Sequence, residues 1–160
     1  MAEVNIHASC VAIGRRGVLL LGKSGAGKSD LALRLIDGGA VLVADDRTLL
    51  WVEKGALHAC APASIQGLLE IRGLGIVACP SRANVRIALA VRLGQEGPRL
   101  PKPRFWRPPT SLKLQTPVPE ILLDARFSST PAKIRAALAA FSKGLFRETF
   151  ITKWPQTAKR

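Results

Sequence analysis

The chain has 160 residues, of which 24 are Lys or Arg and 11 are Asp or Glu, giving a formal net charge of +13; 48% of its residues are hydrophobic. That length and apolar content exclude a disordered chain and suit one domain able to bury about 70% of the surface its unfolded form exposes. The positive charge invites a nucleic-acid reading, but it is spread along the chain with no RRM, KH or zinc-finger pattern, so it speaks to association and not to mechanism.

The first ten residues, MAEVNIHASC, lack the basic start and apolar core of a signal peptide. VNIHASCVAIGRRGVLLLG reads as two apolar strands turning at GRRG, so the strand ahead of Gly22 is expected to have an antiparallel neighbour. From Lys28 to about Asp37, Leu31, Leu35 and Ile36 recur at helical spacing, and Gly38 and Gly39 stop the helix. AVLVADD reads as a buried strand that includes Asp45 and Asp46, and TLLWVEKGALHAC as a hairpin turning at EKG. SIQGLLEIRGLGIV is, on its pattern alone, a turn between two strands, and NVRIALAVRL alternates as a strand.

GPRLPKPRFWRPP is basic and proline-rich, hence loop or sheet edge. VPEILLDA reads as a late strand. SSTPAKIRAALAAF opens a helix with Thr130 as N-cap, Pro131 at the first helical position and an apolar stripe of Ile134, Ala137, Leu138 and Phe141. SKGLFRETFITKWPQTAKR is expected to form a last, fraying helix. No apolar run reaches the roughly 18 residues of a membrane helix. Cys10, Cys60 and Cys79 form neither a CxxC nor a disulfide framework and read as small buried thiols. A cytoplasmic protein with no membrane partner is the expectation.

GKSGAGKS, Gly22 to Ser29, satisfies G-x-x-x-x-G-K-[ST] in full, between a strand and a helix. Gly22, Gly25 and Gly27 let the backbone of the loop Lys23, Ser24, Ala26 curl so that its N–H groups face an anion. Lys28 reaches the terminal phosphates, and Ser29 offers a hydroxyl to Mg²⁺. The nucleotide implied is ATP. An acidic residue closing an apolar strand beside such a loop helps hold the metal shell, and in extended backbone neighbours point to opposite faces. One of Asp45 and Asp46 can then face metal while the other deprotonates an acceptor hydroxyl. Hydrolysis would require a water-positioning group; Gln66 is the one nearby candidate and nothing marks it, so transfer to a bound hydroxyl fits better.

GKSGAGKSDLALRLIDGGAVLVADD followed by LEIRGLGIV resembles the catalytic domain of HPr kinase/phosphorylase, the second stretch being the more specific. The resemblance implies an α/β P-loop kinase domain with a mixed sheet, similar to phosphoenolpyruvate carboxykinase, spanning residues 1–160. It implies a bifunctional enzyme that uses ATP and Mg²⁺ to phosphorylate a serine of the phosphotransferase carrier HPr, and it implies a homo-oligomer, a hexamer. On that resemblance His7 matches an active-site histidine, Lys28 the phosphate-binding lysine, and Ser29 and Glu70 Mg²⁺ ligands, with Asp45 beside them. Asp46 matches the base of the kinase direction and the acid of the reverse, and Arg99, across a shortened loop, a downstream catalytic arginine.

Three departures stand out. The N-terminal domain of longer members has no counterpart here, so regulation through it is expected to be absent. Asp30 replaces the Glu that often follows GKS. The R-P-G-R-N tract used for dephosphorylation is missing, which leaves the phosphorylase direction open. Short versions of this kind resemble those of alphaproteobacteria. The rivals are a P-loop small-molecule kinase, a nucleotide-sensing switch without catalysis, and a nucleic-acid binder that stacks bases on Phe105 and Trp106.

Overall fold

The computed structural model describes residues 2–146. In chain order these form β1 (Glu3–Ile6), β2 (Ala8–Ile13), β3 (Arg16–Leu21), α1 (Lys28–Asp37), β4 (Val41–Ala44), β5 (Thr48–Glu53), β6 (Ala56–Cys60), β7 (Leu68–Ile71), β8 (Gly75–Ala78), β9 (Val85–Leu93), β10 (Glu120–Leu123) and α2 (Thr130–Lys143). The strands are short and β-branched or leucine-rich, and they are punctuated where the sequence carries turn residues. Gly14 closes the β2–β3 hairpin, and Lys54 and Gly55, both at positive φ, close β5–β6.

The main sheet runs β1-β5-β6-β9-β3-β2-β4. Its spine is β9. One edge of β9 pairs in parallel with β3, while the other is shared between β6 at its start and β10, parallel, at its end. The sheet is therefore mixed. The β7–β8 hairpin stands apart as a two-stranded sheet.

Both faces of the central strands are covered, which is why Val18, Leu19 and Leu20 form an unbroken apolar run instead of an alternating one. Val18 and Leu20 pack with Leu31 and Leu35 of α1 and Ile134 and Leu138 of α2. Leu19 and Leu21 face the opposite way, against Leu50, Leu57, Trp106 and Val118. Each such leucine, fully removed from water, contributes about 1.5–3 kcal/mol. The proline-rich segment is loop, as its composition predicts, but it delivers Trp106 into the core at 7% exposure. An indole buried this way cannot stack on a base, which removes one of the two aromatics of the nucleic-acid rival; Phe105 is half-buried.

Three local expectations are corrected, and a fourth falls mostly outside the described residues. His7 is not inside a strand; it occupies a bend between β1 and β2, because β1 pairs with β5 whereas β2 pairs with β3 and β4. The strand read as AVLVADD ends at Ala44, and Asp45 and Asp46 lie in bends, Asp46 at φ 64°. Thr130 is not the N-cap of α2. Ser129 holds that position, and the buried Thr130 hydroxyl instead donates to the Asp124 carbonyl at 2.5 Å. Finally, α2 ends at Gly144 in the left-handed conformation, and most of the segment expected to form a last helix lies outside the described residues.

Candidate active site

The loop between β3 and α1 is built for an anion. Gly27, at φ 95°, is the N-cap of α1, and a Cβ there would lie 3.0 Å from the Ala125 Cβ, so only glycine lets the loop close against that neighbour. The first intrahelical bond is Leu31 N–H to Gly27 C=O at 2.9 Å, leaving the N–H groups of the first turn without a helical acceptor. Lys28 is 6% exposed and folds back over the loop, donating from Nζ to the carbonyls of Gly22 (2.8 Å) and Lys23 (3.0 Å). A cleft of about 730 Å³ opens over the loop, walled by His7, Lys23, Ser24, Ala26 and Arg92 among others.

At the end of β4 the chain presents two carboxylates in unlike surroundings. Asp45 is buried. Its Oδ1 accepts from Ser29 Oγ (2.7 Å) and Ser9 Oγ (3.0 Å), and its Oδ2 from the Glu70 backbone N–H (3.1 Å). One carboxylate thus joins β2, α1 and β7, and three donors offset its desolvation.

Asp46 turns the other way because its backbone is left-handed. Its N–H donates to Ser9 Oγ at 3.1 Å, and its side chain is 62% exposed. His7 Nε2 donates to Asp46 Oδ1 at 2.5 Å. The two carboxylates do diverge, but through this one turn and not through strand alternation.

His7, Lys28, Ser29, Asp45 and Asp46 therefore gather around the Gly22–Ser29 loop. Glu70 reaches the cluster through its amide, while its own side chain is exposed near the turn of the β7–β8 hairpin, where Leu74 and Ile76 are 76% and 72% exposed. Arg99 is exposed in the loop after β9 and does not line the cleft. Gln66 is also exposed, after a single 3₁₀ turn at Ala63–Ile65.

The sequence reading missed Arg92, which does line the cleft, and Glu120, which holds it. The available signal was a cation closing an alternating strand; that this strand lies beside the loop strand is long-range information.

Among the described residues no three His, Cys, Asp or Glu side chains converge as a metal site. The Ser29 hydroxyl and Asp45 carboxylate are nevertheless hard oxygen donors beside a phosphate loop. Mg²⁺ is suited by that combination, since it keeps several waters and takes phosphate oxygens as further ligands. Burial pushes the Cys10 thiol upward, so it is inert near neutral pH.

The turn behind the loop is fixed by its own ion pair. Asp124, at the end of β10, is gripped by the Arg126 guanidinium (Nη2–Oδ2 2.7 Å), which holds its carboxyl down at about 2. Arg34 of α1 donates to the carbonyls of Ala125 and Phe127, seating this turn against α1.

The family described as HPr Serine kinase C-terminal domain matches residues 1–89, more than half of the chain. An HPr kinase/phosphorylase of Bacillus subtilis is 45% identical over 96 residues, covering 55% of this chain and 31% of that protein. One from Geobacillus kaustophilus is 38% identical over 130 residues, covering 76% of this chain and 42% of that protein. The chain thus spans less than half the length of these curated relatives. Among solved structures, the Hpr(Ser) kinase/phosphatase from Coxiella burnetii superposes with a TM-score of 0.68 at 27% identity, covering 83% of this chain and 92% of that one.

Proposed function

The chain belongs to the HPr serine kinase C-terminal domain family, and from that premise we propose that it is an ATP- and Mg²⁺-dependent kinase acting on a serine of the phosphotransferase carrier HPr. The observation that carries the reading is the division of labour between neighbouring carboxylates, Asp45 buried on the loop serine and Asp46 exposed on His7. A nucleotide switch has no use for a second, solvent-facing carboxylate held by an imidazole beside the phosphate loop. An acceptor hydroxyl does.

In this mechanism the loop amides and the N-terminus of α1 seat the triphosphate, and Lys28 exchanges its two carbonyl partners for phosphate oxygens. Ser29 and Asp45 would hold Mg²⁺, with the exposed Glu70 carboxylate as a further ligand once turned toward them, and the ion would neutralise charge on the terminal phosphates. Asp46 accepts the serine proton on Oδ2, while His7, donating to Oδ1, fixes the carboxylate plane. In the reverse direction Asp46 returns that proton to the leaving serine. Most of the acceleration is positioning and electrostatics, as phosphoryl transfer demands.

The exposed apolar hairpin next to Glu70 supports a protein acceptor, since contiguous apolar surface beside a polar site marks a protein contact. We take residues 1–160 as one catalytic domain, cytoplasmic and hexameric. The hexamer rests on the resemblance, and among the described residues no helix is long and apolar enough to cross a membrane.

The test is transfer of label from γ-labelled ATP to purified HPr, followed by inorganic phosphate in the same tube. Label on an HPr serine supports the reading, and its phosphate-driven release adds the phosphorylase direction. ATP binding without acceptor-dependent ADP formation would favour the switch, and transfer only to small hydroxyl compounds would favour the small-molecule kinase.

A further inference from the structure

Besides the motif lysines, the cleft over the phosphate loop has a cation that the sequence motif does not contain. Arg92 is the next-to-last residue of β9 and sits directly opposite Leu21, one residue before Gly22. The two strands meet tightly there: a Cβ on Gly22 would lie 2.9 Å from the Ala26 Cβ and 3.1 Å from the Leu93 carbonyl. The position of Arg92 relative to the loop is thus set by sheet register and backbone packing.

Its guanidinium is anchored on one edge only. Nε and Nη2 donate to Glu120, at 3.1 and 3.4 Å, and among the described residues Nη1 has no acceptor. The Arg92 side chain is 45% exposed and lines the cleft, while that of Glu120 is 3% exposed. Arg104 takes the same Glu120 oxygen at 2.7 Å, so two guanidiniums share one carboxylate and the cluster keeps a net positive charge. A buried carboxylate is costly unless paired, and an apolar side chain would close the sheet at this point more cheaply. What Glu120 supplies is direction: it holds the Arg92 fork by one edge and leaves the other N–H groups for a second anion.

We propose that Arg92 is a further phosphate-contacting residue of this site, with Glu120 as its positioning residue. The ligand chemistry is a polyphosphate oxygen, from a nucleoside triphosphate or from free pyrophosphate. The inference rests on the nucleotide reading of the loop and extends it to a residue outside the motif.

Calorimetric titration with Mg·ATP and, separately, with inorganic pyrophosphate tests it on the full chain, with thermal melts alongside. R92Q is expected to weaken both ligands about ten- to a hundredfold, the range of a charge-assisted hydrogen bond. R92K keeps the charge without the fork and recovers only part of that loss; it carries the same test should R92Q fail to fold. In E120Q the cation remains but is no longer fixed, so transfer to HPr should fall about tenfold in kcat with KM for ATP little changed. A purely structural Glu120 would instead lower the melting temperature and leave kcat alone. R107Q removes one exposed charge from the same basic segment and is expected to bind as wild type, which sizes the diffuse electrostatic effect.

R92Q binding both ligands within about twofold of wild type overturns the proposal; if K28A has meanwhile lost binding, the nucleotide reading stands and Arg92 alone is dismissed. R92Q losing ATP but not pyrophosphate overturns the phosphate assignment in favour of a nucleoside contact. A wild-type chain that binds neither ligand overturns both readings.

Discussion

Up to Leu93 the chain runs through nine strands and a helix joined by short turns; from Gly94 to Phe146 it offers one four-residue strand, one helix and a long loop. The first region contains every motif residue and, apart from Arg99, every residue assigned a role in phosphoryl transfer from sequence. The second is held by ion pairs and side-chain anchors: Arg92 and Arg104 on Glu120, Arg126 on Asp124, Lys133 on Glu96 at 2.6 Å, and the Thr130 hydroxyl on the Asp124 carbonyl. The family match, residues 1–89, lies wholly within the first region and ends before Arg92. The two regions differ in construction: the motif residues stand on a tight turn and at strand ends, whereas the second region braces the loop from behind, through the Ala125 turn against Gly27 and Arg34.

If chemistry belongs to the first region and its support to the second, substitutions should separate the two. The largest effect is expected from Asp46→Asn. With 62% of the side chain exposed, the change should leave the melting temperature and ATP affinity close to wild type. It should slow transfer to HPr by roughly 10²–10⁴, the range of a positioned general base. Normal turnover in stopped-flow ADP release would remove Asp46 from the mechanism.

Next in size is Ile134→Ala, in α2, where the side chain is fully buried against both helices and the sheet. It should cost about 2–5 kcal/mol in urea unfolding. The folded fraction should keep its KM for ATP, and a raised KM at unchanged stability would break the proposed separation.

Asp45→Ala should fall between the regions. It removes the acceptor of Ser9, Ser29 and the Glu70 N–H at once, three donors that only this carboxylate brings together. Leaving such groups unpaired costs about 1–3 kcal/mol, with transfer falling alongside because Ser29 and the β7–β8 hairpin lose their common anchor. Stability and activity should therefore drop together, as urea unfolding and label transfer on one preparation would show. A loss of activity alone would mean that Asp45 serves the metal and not the fold.

The same boundary divides what the sequence makes legible. The turns at Gly14 and at Lys54–Gly55, the helix stop at Gly38 and the loop Gly22–Ser29 all follow from residues within a few positions of one another. The readings that failed needed a distant partner. The bend at His7 arises because β1 and β2 pair with different strands. Asp46 leaves the strand through a left-handed turn whose N–H is taken by Ser9, 37 residues away. Thr130 looks like an N-cap but spends its hydroxyl on Asp124, and Arg92 gains meaning only once β9 lies beside β3. The phosphate loop was legible because a motif compresses it into eight residues; the way His7, Asp46 and Arg92 are turned toward it was not, because strand order and one left-handed turn set it.

The smallest effect, and the sharpest probe of the second region alone, is the acid limb of stability. Arg126 donates to both Asp124 oxygens and holds the carboxyl at about 2, below its ordinary 3.8. A group depressed on folding contributes its stabilisation fully above its unfolded value and loses it as the pH falls through the folded one. Asp124 should therefore support the fold unchanged from neutrality down to about pH 4 and progressively less from there to about pH 2. Comparing wild type with D124N, the difference in melting temperature should be flat from pH 7 to about 5 and shrink between about 4 and 2. Because Arg126 is 89% exposed, 1 M salt should narrow that difference at neutral pH as well. Transfer to HPr, measured at neutral pH, should be the same in both chains, since Asp124 meets the loop only through the turn at Ala125 that backs Gly27. A pH-independent difference would mean that the Asp124 carboxylate is held by its backbone contacts and not by charge. A neutral-pH loss of transfer would carry the chemistry across the boundary at residue 93.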